Sequence, residues 1–387
     1  MKVDGKGKRE VLIIGEAPGA NEDRCGHPFV GAAGQKLQEV LHSIGVNLRR
    51  DCWITNSNIC RPKHPDGKNR TPTNLEIGYC RPAVIQTIKE LKPRVIVLLG
   101  ASPMKSVLGW LWKEDIGTPE RWRNWRIPHQ RLNAWICPTW HPAALLHKDD
   151  PEADESSQGS KNTVMHLDFR RALKRAFALK GRPWDKPPDF KSKLMVLFDP
   201  VAAALAITKM VTNAIAKQIP IAFDYETNML KPDRTKGIIY TCSMSDGTLS
   251  IAFPWTGAIV QPMKDFLRGL VPKIASNMKF EERWTRTKLG SYVRNWAQDT
   301  MLGAHVLQNT PGITSIKFQA FVLLGQDEWD SGVKPYLKAP DSNSENRIKQ
   351  CDLRALLEYN AMDSLMEWMV ARIQSKRGLH RPCWNVT

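Results

Sequence analysis

Asp224 and Glu226, in the segment FDYET, are separated by a single residue. Side chains alternate along an extended strand, so two acids at that spacing point to the same face. The apolar run IPIAF (219–223) reads as that strand, and Thr227-Asn228 as its end. A third acid, Glu281, closes NMKFE (277–281), and a fourth, Asp363, closes YNAMD (359–363) on a predicted helix. Tyr359 stands four residues before Asp363 and so shares its helix face. Four clustered carboxylates repel one another unless cations neutralise them, and hard ions such as Mg2+ or Mn2+ prefer oxygen ligands. Two such ions can activate a water and stabilise the leaving oxygen of a phosphodiester. The chemistry this implies is metal-dependent nucleic-acid hydrolysis. Each piece alone is weak: Asp-x-Glu is often a solvated strand end, and Tyr359 beside Leu356 and Met362 could be a core tyrosine.

A second constellation occupies the N-terminal half. VLIIGEAPG (11–19) reads as a buried strand entering a glycine-proline turn, with a helix expected to begin near residues 31–34. A strand, a loop of close backbone approach and a helix start form a common site for anionic or nucleotide ligands. Four further blocks follow in order: PFVGAAG (28–34), WITNSNICRP (53–62), KNRTP (68–72) and TWHPAALL (139–146). Taken singly, His141 before a proline is usually a capped loop residue, Phe29 after a proline is most often core, and Asn56 could satisfy a turn.

The order and spacing of these five blocks resemble family 4 uracil-DNA glycosylases over roughly residues 8–180. The resemblance implies extrusion of a uracil and cleavage of its N-glycosidic bond. It makes Phe29 the aromatic platform and Asn56 the amide that reads the uracil edge, with Asn58 the competitor should the register differ by two. His141 would donate to the uracil oxygen as negative charge develops. Glu16 and Glu22 fall on the family's acidic positions, either orienting water or stabilising the cationic sugar. Gly15 and Asn69 fall in substrate-binding blocks, and Leu145 or Leu146 would fill the vacated stack as an apolar wedge.

FDYET, NMKFE and YNAMD, with the connecting segment 299–325, resemble the 3′–5′ proofreading exonuclease domain of family A DNA polymerases. That domain belongs to the DEDD superfamily, here in the form with a tyrosine, and the resemblance covers about residues 192–375. It implies that Asp224, Glu226 and Asp363 hold two Mg2+ or Mn2+ ions, that Glu281 completes the outer position, and that Tyr359 orients the attacking water. Asn277 would contact substrate. The family's second motif normally ends in aspartate; Glu281 keeps the charge but adds a methylene, and Glu282 is the alternative register.

Family 4 members hold an iron–sulfur cluster with four cysteines. Cys60 and Cys80 match the downstream pair, but no Cys-x-x-Cys precedes Val11. Such clusters need four thiolates, so a cluster-free domain is the expectation, with a 4Fe-4S cluster the alternative. The eight cysteines show no disulfide pattern, which points to a reducing cytoplasm.

With 56 Lys and Arg against 39 Asp and Glu, the formal charge is +17. That excess favours polyanionic partners and predicts steep salt dependence of binding. No apolar run reaches the length of a spanning helix, so no membrane partner is expected. The expected architecture is α/β in two domains, each a mostly parallel or mixed sheet flanked by helices. A uracil-DNA glycosylase-like α/β/α sandwich spans 1–182, a Pro- and Lys-rich linker 183–191, and a ribonuclease H-like exonuclease fold 192–387. The polar stretch 149–162 reads as a loop, and 165–181 as a helix capped by Gly181. RWRNWR (121–126) could grip single strands by stacking and charge, or turn its tryptophans inward.

The combined reading is a uracil-DNA glycosylase fused to a 3′–5′ exonuclease, acting on uracil-containing DNA that is single-stranded or has a free 3′ end. Only 24 residues follow Asp363, so polymerase activity is expected from a separate partner, an arrangement suited to a phage-like genome. The alternatives are a DNA-binding replication factor with decayed sites, or a glycosylase for another deaminated base or for uracil in RNA.

Overall fold

The computed structural model describes residues 2–146 and 155–378. The chain divides into two compact units, residues 1–187 with 324–327, and residues 188–323 with 328–387.

The first unit is built on five strands: β1 (Val11–Gly15), β2 (Cys52–Asn56), β3 (Val95–Leu99), β4 (Ile127–His129) and β5 (Ala134–Thr139). Their order is β2-β1-β3-β5-β4, parallel except for the β4–β5 pair. Every residue of β1 and β3 is buried. Unbroken apolar runs are what a parallel sheet covered on both faces requires. From β1 the chain passes first to β2 on one side and then to β3 on the other. The crevice beyond the carboxyl end of β1 is therefore a topological switch point, where open α/β sheets bind ligands. Glu16 follows β1, Asn56 ends β2 and His141 follows β5, so the three reach this one edge.

The second unit carries β6 (Leu194–Val196), β7 (Ile221–Thr227), β8 (Ile239–Ser245), β9 (Ser250–Pro254), β10 (Lys273–Ala275) and β11 (Trp296–Asp299). The order is β11-β10-β7-β8-β9-β6, and β8 alone runs against its neighbours. This is the ribonuclease H-like arrangement that the motifs led us to expect. Phe223 and Tyr225 face the main core of this unit, packed with Phe266 and Trp255. Asp224 and Glu226 consequently face the other way, toward helix Leu353–Lys376, which crosses β7, β8 and β9.

Two local expectations need correction. The helix expected over 165–181 spans Glu155–Phe177 and stops before Gly181. The polar stretch read as a loop over 149–162 is thus helical from Glu155, while residues 149–154 lie outside the described residues. A polar segment with no apolar face can still extend a helix nucleated by the amphipathic turns after it. In RWRNWR, Trp122 is fully buried against Trp112, and Arg123 lies over the Trp140 ring at 3.4 Å. Trp122 is therefore turned inward. Among the described residues, no helix is long and apolar enough to cross a membrane.

Candidate active sites

In the first unit, a cavity of about 350 Å³ opens at the switch point. It is lined by Glu16, Glu22, Phe29, Asn56, Asn69 and His141 among others. Its floor depends on Gly15: a Cβ there would lie 2.5 Å from both Asn56 Oδ1 and the Phe29 ring. Phe29 adopts φ +58°, a region that bulky side chains avoid and that persists only where the surroundings impose it. Gly34 contributes, since a Cβ on it would meet the Phe29 carbonyl at 2.2 Å. Asn56 lines the cavity and Asn58 does not.

His141 caps the short turn Pro142–Leu145, its Nδ1 accepting from the Ala143 amide at 3.3 Å. Burial lowers its pKa to about 4, so the ring is neutral at pH 7. A neutral imidazole that accepts at Nδ1 carries its proton on Nε2. Glu16 accepts from Ser102 at 2.9 Å, and burial raises its carboxyl above the usual range despite that bond. Glu22 is engaged with backbone: Oε1 accepts from the Val30 and Gly31 amides at 3.1 and 2.8 Å, and Oε2 from Gly19 at 3.1 Å. It ties the loop after β1 to the loop carrying Phe29. Asn69 accepts from Arg61 at 2.7 Å. Leu145 packs against the core and does not line the cavity, whereas Leu146 is 40% exposed.

Cys60 is exposed and Cys80 half-buried. Among the described residues, no further thiol, imidazole or carboxylate completes a metal-binding group with them. The donor set present does not fit a four-thiolate cluster, and no step of the chemistry is routed through one.

In the second unit, Asp224, Glu226 and Asp363 each offer an oxygen within 4.8 Å of the others. Burial is the leading cause that raises all three carboxyls, Asp363 to about 6, and the neighbouring negative charges add to the effect on Asp224 and Glu226. An acid cluster taken out of water with too few cations is a ready divalent-metal site. Glu281 is buried on the same side, in the first turn of helix Met278–Leu289, and its carboxyl is raised by burial and then by Asp224. It lies outside the close set of three. Glu282 is turned away, bonded to Arg286, Val293 and Trp296. The Tyr359 hydroxyl lies close enough to Asp363 to oppose the rise of its carboxyl. Asn277 takes a left-handed conformation at the start of its helix, its amide donating to Asp299 at 3.0 Å.

Several contributors escaped the sequence reading. Asn360 donates to Asp224 Oδ2 at 2.7 Å, and Trp329 to Asp363 Oδ1 at 2.9 Å. Asp299 accepts from the amides of Asn277, Met278, Met301 and Leu302, fixing the segment that carries Glu281. Glu367, one helical turn beyond Asp363, is buried, with Oε1 on the Ser276 amide. Oε2 of Glu367 and Oε2 of Glu281 have no hydrogen-bond partner in the structure. Two orphaned carboxylate oxygens behind the trio are a further sign that the donors present fit divalent cations.

The model of the uracil DNA glycosylase superfamily matches residues 3–160, the part of the chain that builds this sheet and cavity. The type-4 uracil-DNA glycosylase of Pyrobaculum aerophilum is 43% identical over 148 residues, 38% of this chain and 72% of that protein. The type-4 enzyme of Sulfurisphaera tokodaii is 32% identical over 186 residues, 47% of this chain and 82% of that protein. Through its N-terminal part, the chain belongs to the type-4 uracil-DNA glycosylase family. Among solved structures, Escherichia coli RNase D, an exoribonuclease involved in structured RNA processing, resembles it with a TM-score of 0.37 and 15% identity. That match covers 49% of this chain and 48% of RNase D.

Proposed function

We propose that the chain joins two activities on DNA: excision of uracil by residues 1–182 and metal-dependent hydrolysis from the 3′ end by residues 192–387. The observation that carries the first is His141, its Nδ1 occupied by the Ala143 amide so that Nε2 is left to donate, at a cavity that also holds Phe29 and Asn56. A uracil flipped into it stacks on Phe29, and the Asn56 amide both accepts from the N3–H and donates to the adjacent carbonyl. As the C1′–N1 bond breaks, its electron pair moves onto the base, and the His141 Nε2–H stabilises the developing oxyanion. Glu16, in its desolvated position, faces the cationic sugar or orients the water that adds to C1′ and loses a proton, leaving an abasic site. Glu22 holds the two loops in register, and the exposed Leu146 is better placed than Leu145 to fill the gap in the stack.

The observation that carries the second activity is the close trio of half-buried Asp224 and Glu226 with buried Asp363. Divalent cations held there, Mg2+ or Mn2+, would supply an activated water and neutralise the leaving 3′ oxygen. Glu281 would act from the outer position, and Tyr359 would orient the water. A cavity of about 340 Å³ beside Glu226, lined by Met229, Leu230 and Phe280, offers an apolar seat for a terminal nucleoside.

A 5′-labelled single strand with one internal uracil tests both. In EDTA, an alkali-dependent break at the uracil is expected; in Mg2+, a ladder shortening from the 3′ end that Asp224→Ala abolishes. Intact DNA in every lane despite tight binding would favour a DNA-binding factor instead.

A further inference from the structure

Among the described residues, Lys317 is the cation whose charge acts on all three acids of the trio, and none of the three motifs contains it. It lies in the first turn of helix Ile316–Leu324, with its side chain only 20% exposed. Its ammonium sits 2.9 Å from Asp330 Oδ2, and that aspartate's side chain is 3% exposed. The same nitrogen is 3.4 Å from the Tyr359 hydroxyl and 5.1 Å from the centre of its ring. Its charge is felt by Asp363, Asp224 and Glu226 alike.

We infer that Lys317, anchored by Asp330, is a positioning residue that fixes the Tyr359 hydroxyl for phosphodiester hydrolysis at the trio. The inference rests on the exonuclease reading above. An ammonium has donors only, so toward Lys317 the phenol oxygen accepts. The phenol proton is thereby turned away from Lys317, and Asp363 is the nearby carboxylate that acts most strongly on that hydroxyl. Trp329 donates to Asp363 Oδ1 and helps hold it in place. With Asp363 committed to holding a cation, the phenol proton would be free to point at the water or phosphate oxygen beside it, and Lys317 would still set its direction. The lone-pair side of Tyr359 is held by a charge, which a water could not do with equal rigidity.

The plainer alternative is that Lys317 only balances the charge of metal-free carboxylates, and the two roles make opposite demands. A cation near the trio opposes divalent binding by like-charge repulsion, so Lys317→Met should tighten Mn2+ affinity about tenfold if the local dielectric is that of a partly buried site. A positioning role also requires that cleavage slow at saturating Mn2+, by about a hundredfold, since a misdirected polar group costs that much in electrostatic catalysis.

The experiment measures Mn2+ binding by the paramagnetic resonance signal of the free ion, and single-turnover 3′ cleavage at saturating Mn2+, on the full chain. Because Lys317→Met takes the nearer cation from buried Asp330 and leaves Lys334 at 4.0 Å, the double variant Lys317→Met/Asp330→Asn is carried alongside, with melting temperature as the check on folding. Tighter Mn2+ binding with slower cleavage in both variants, and at least tenfold recovery in Lys317→Arg, supports the inference. Cleavage within threefold of the parent overturns it and leaves a counter-ion. Weaker Mn2+ binding together with slower cleavage overturns it in favour of structural damage. A parent protein that binds Mn2+ but never shortens a 3′ end removes the exonuclease reading itself, and the role with it.

Discussion

A methyl group on Gly100 would stand 2.8 Å from the Cβ of His141. The imidazole can occupy its place at the cavity only because the residue after β3 has no side chain. Gly100 also has φ +88°, which an L side chain rarely adopts. Gly100→Ala is expected to displace the ring and slow uracil excision by about a hundredfold, the scale for losing one well-placed donor. Single-turnover excision from a uracil-containing strand in EDTA checks this; an unchanged rate would remove His141 from the chemistry.

His141 also makes stability depend on acid. Its folded pKa is about 4, below the unfolded value near 6.5, so between those values the unfolded chain binds a proton that the folded chain refuses. Stability is therefore lost as pH falls from about 6.5 to 4, by up to about 3 kcal/mol, and not further below that window. Urea unfolding at pH 7, 5.5 and 4 should show His141→Gln losing less stability than the parent across it. A parallel pair of curves would contradict the burial of a neutral ring.

Mutual repulsion in the trio predicts a trade between stability and function. Asp224→Asn should raise the melting temperature in EDTA, because it removes one of three mutually repelling carboxylates. The parent should gain about 2.7 kcal/mol at a Mn2+ concentration a hundred times its dissociation constant, and the variant none. Since Asp363 titrates at about 6, Mn2+ must displace a proton from it below that pH, so affinity should weaken as pH falls through 6. Calorimetry at pH 7.5 and 5.5 reads both effects.

Glu281 and Glu282 are separable by experiment. Glu281 lies behind the close trio, so Glu281→Ala should weaken Mn2+ binding less than Asp224→Ala does. Glu282 accepts from Val293 and Trp296, and Glu282→Ala should cost about 1–3 kcal/mol of stability by leaving those donors unmatched, with Mn2+ affinity unchanged. The reverse pattern would place the second motif one residue later.

Some of this was legible before any coordinates. Strand alternation placed Asp224 and Glu226 on one face, and helical spacing placed Tyr359 beside Asp363. The apolar run of β1 announced a buried strand, whereas β3, an equally apolar run, was not singled out. The start of helix Glu155–Phe177 was not legible, because its first residues carry no apolar period.

What the sequence determined by itself is the set of local relations: which side chains share a face, and which blocks follow one another in an order specific enough to name a family. The tertiary structure decided the rest. Ser102 reaches Glu16 across 86 residues of chain and Asn360 reaches Asp224 across 136. Lys317 meets Tyr359 across 42. Such contacts arise from how sheets and helices stack, which no short-range periodicity encodes. The protonation of His141 and of the acidic trio follows from burial, and burial exists only once the chain has folded.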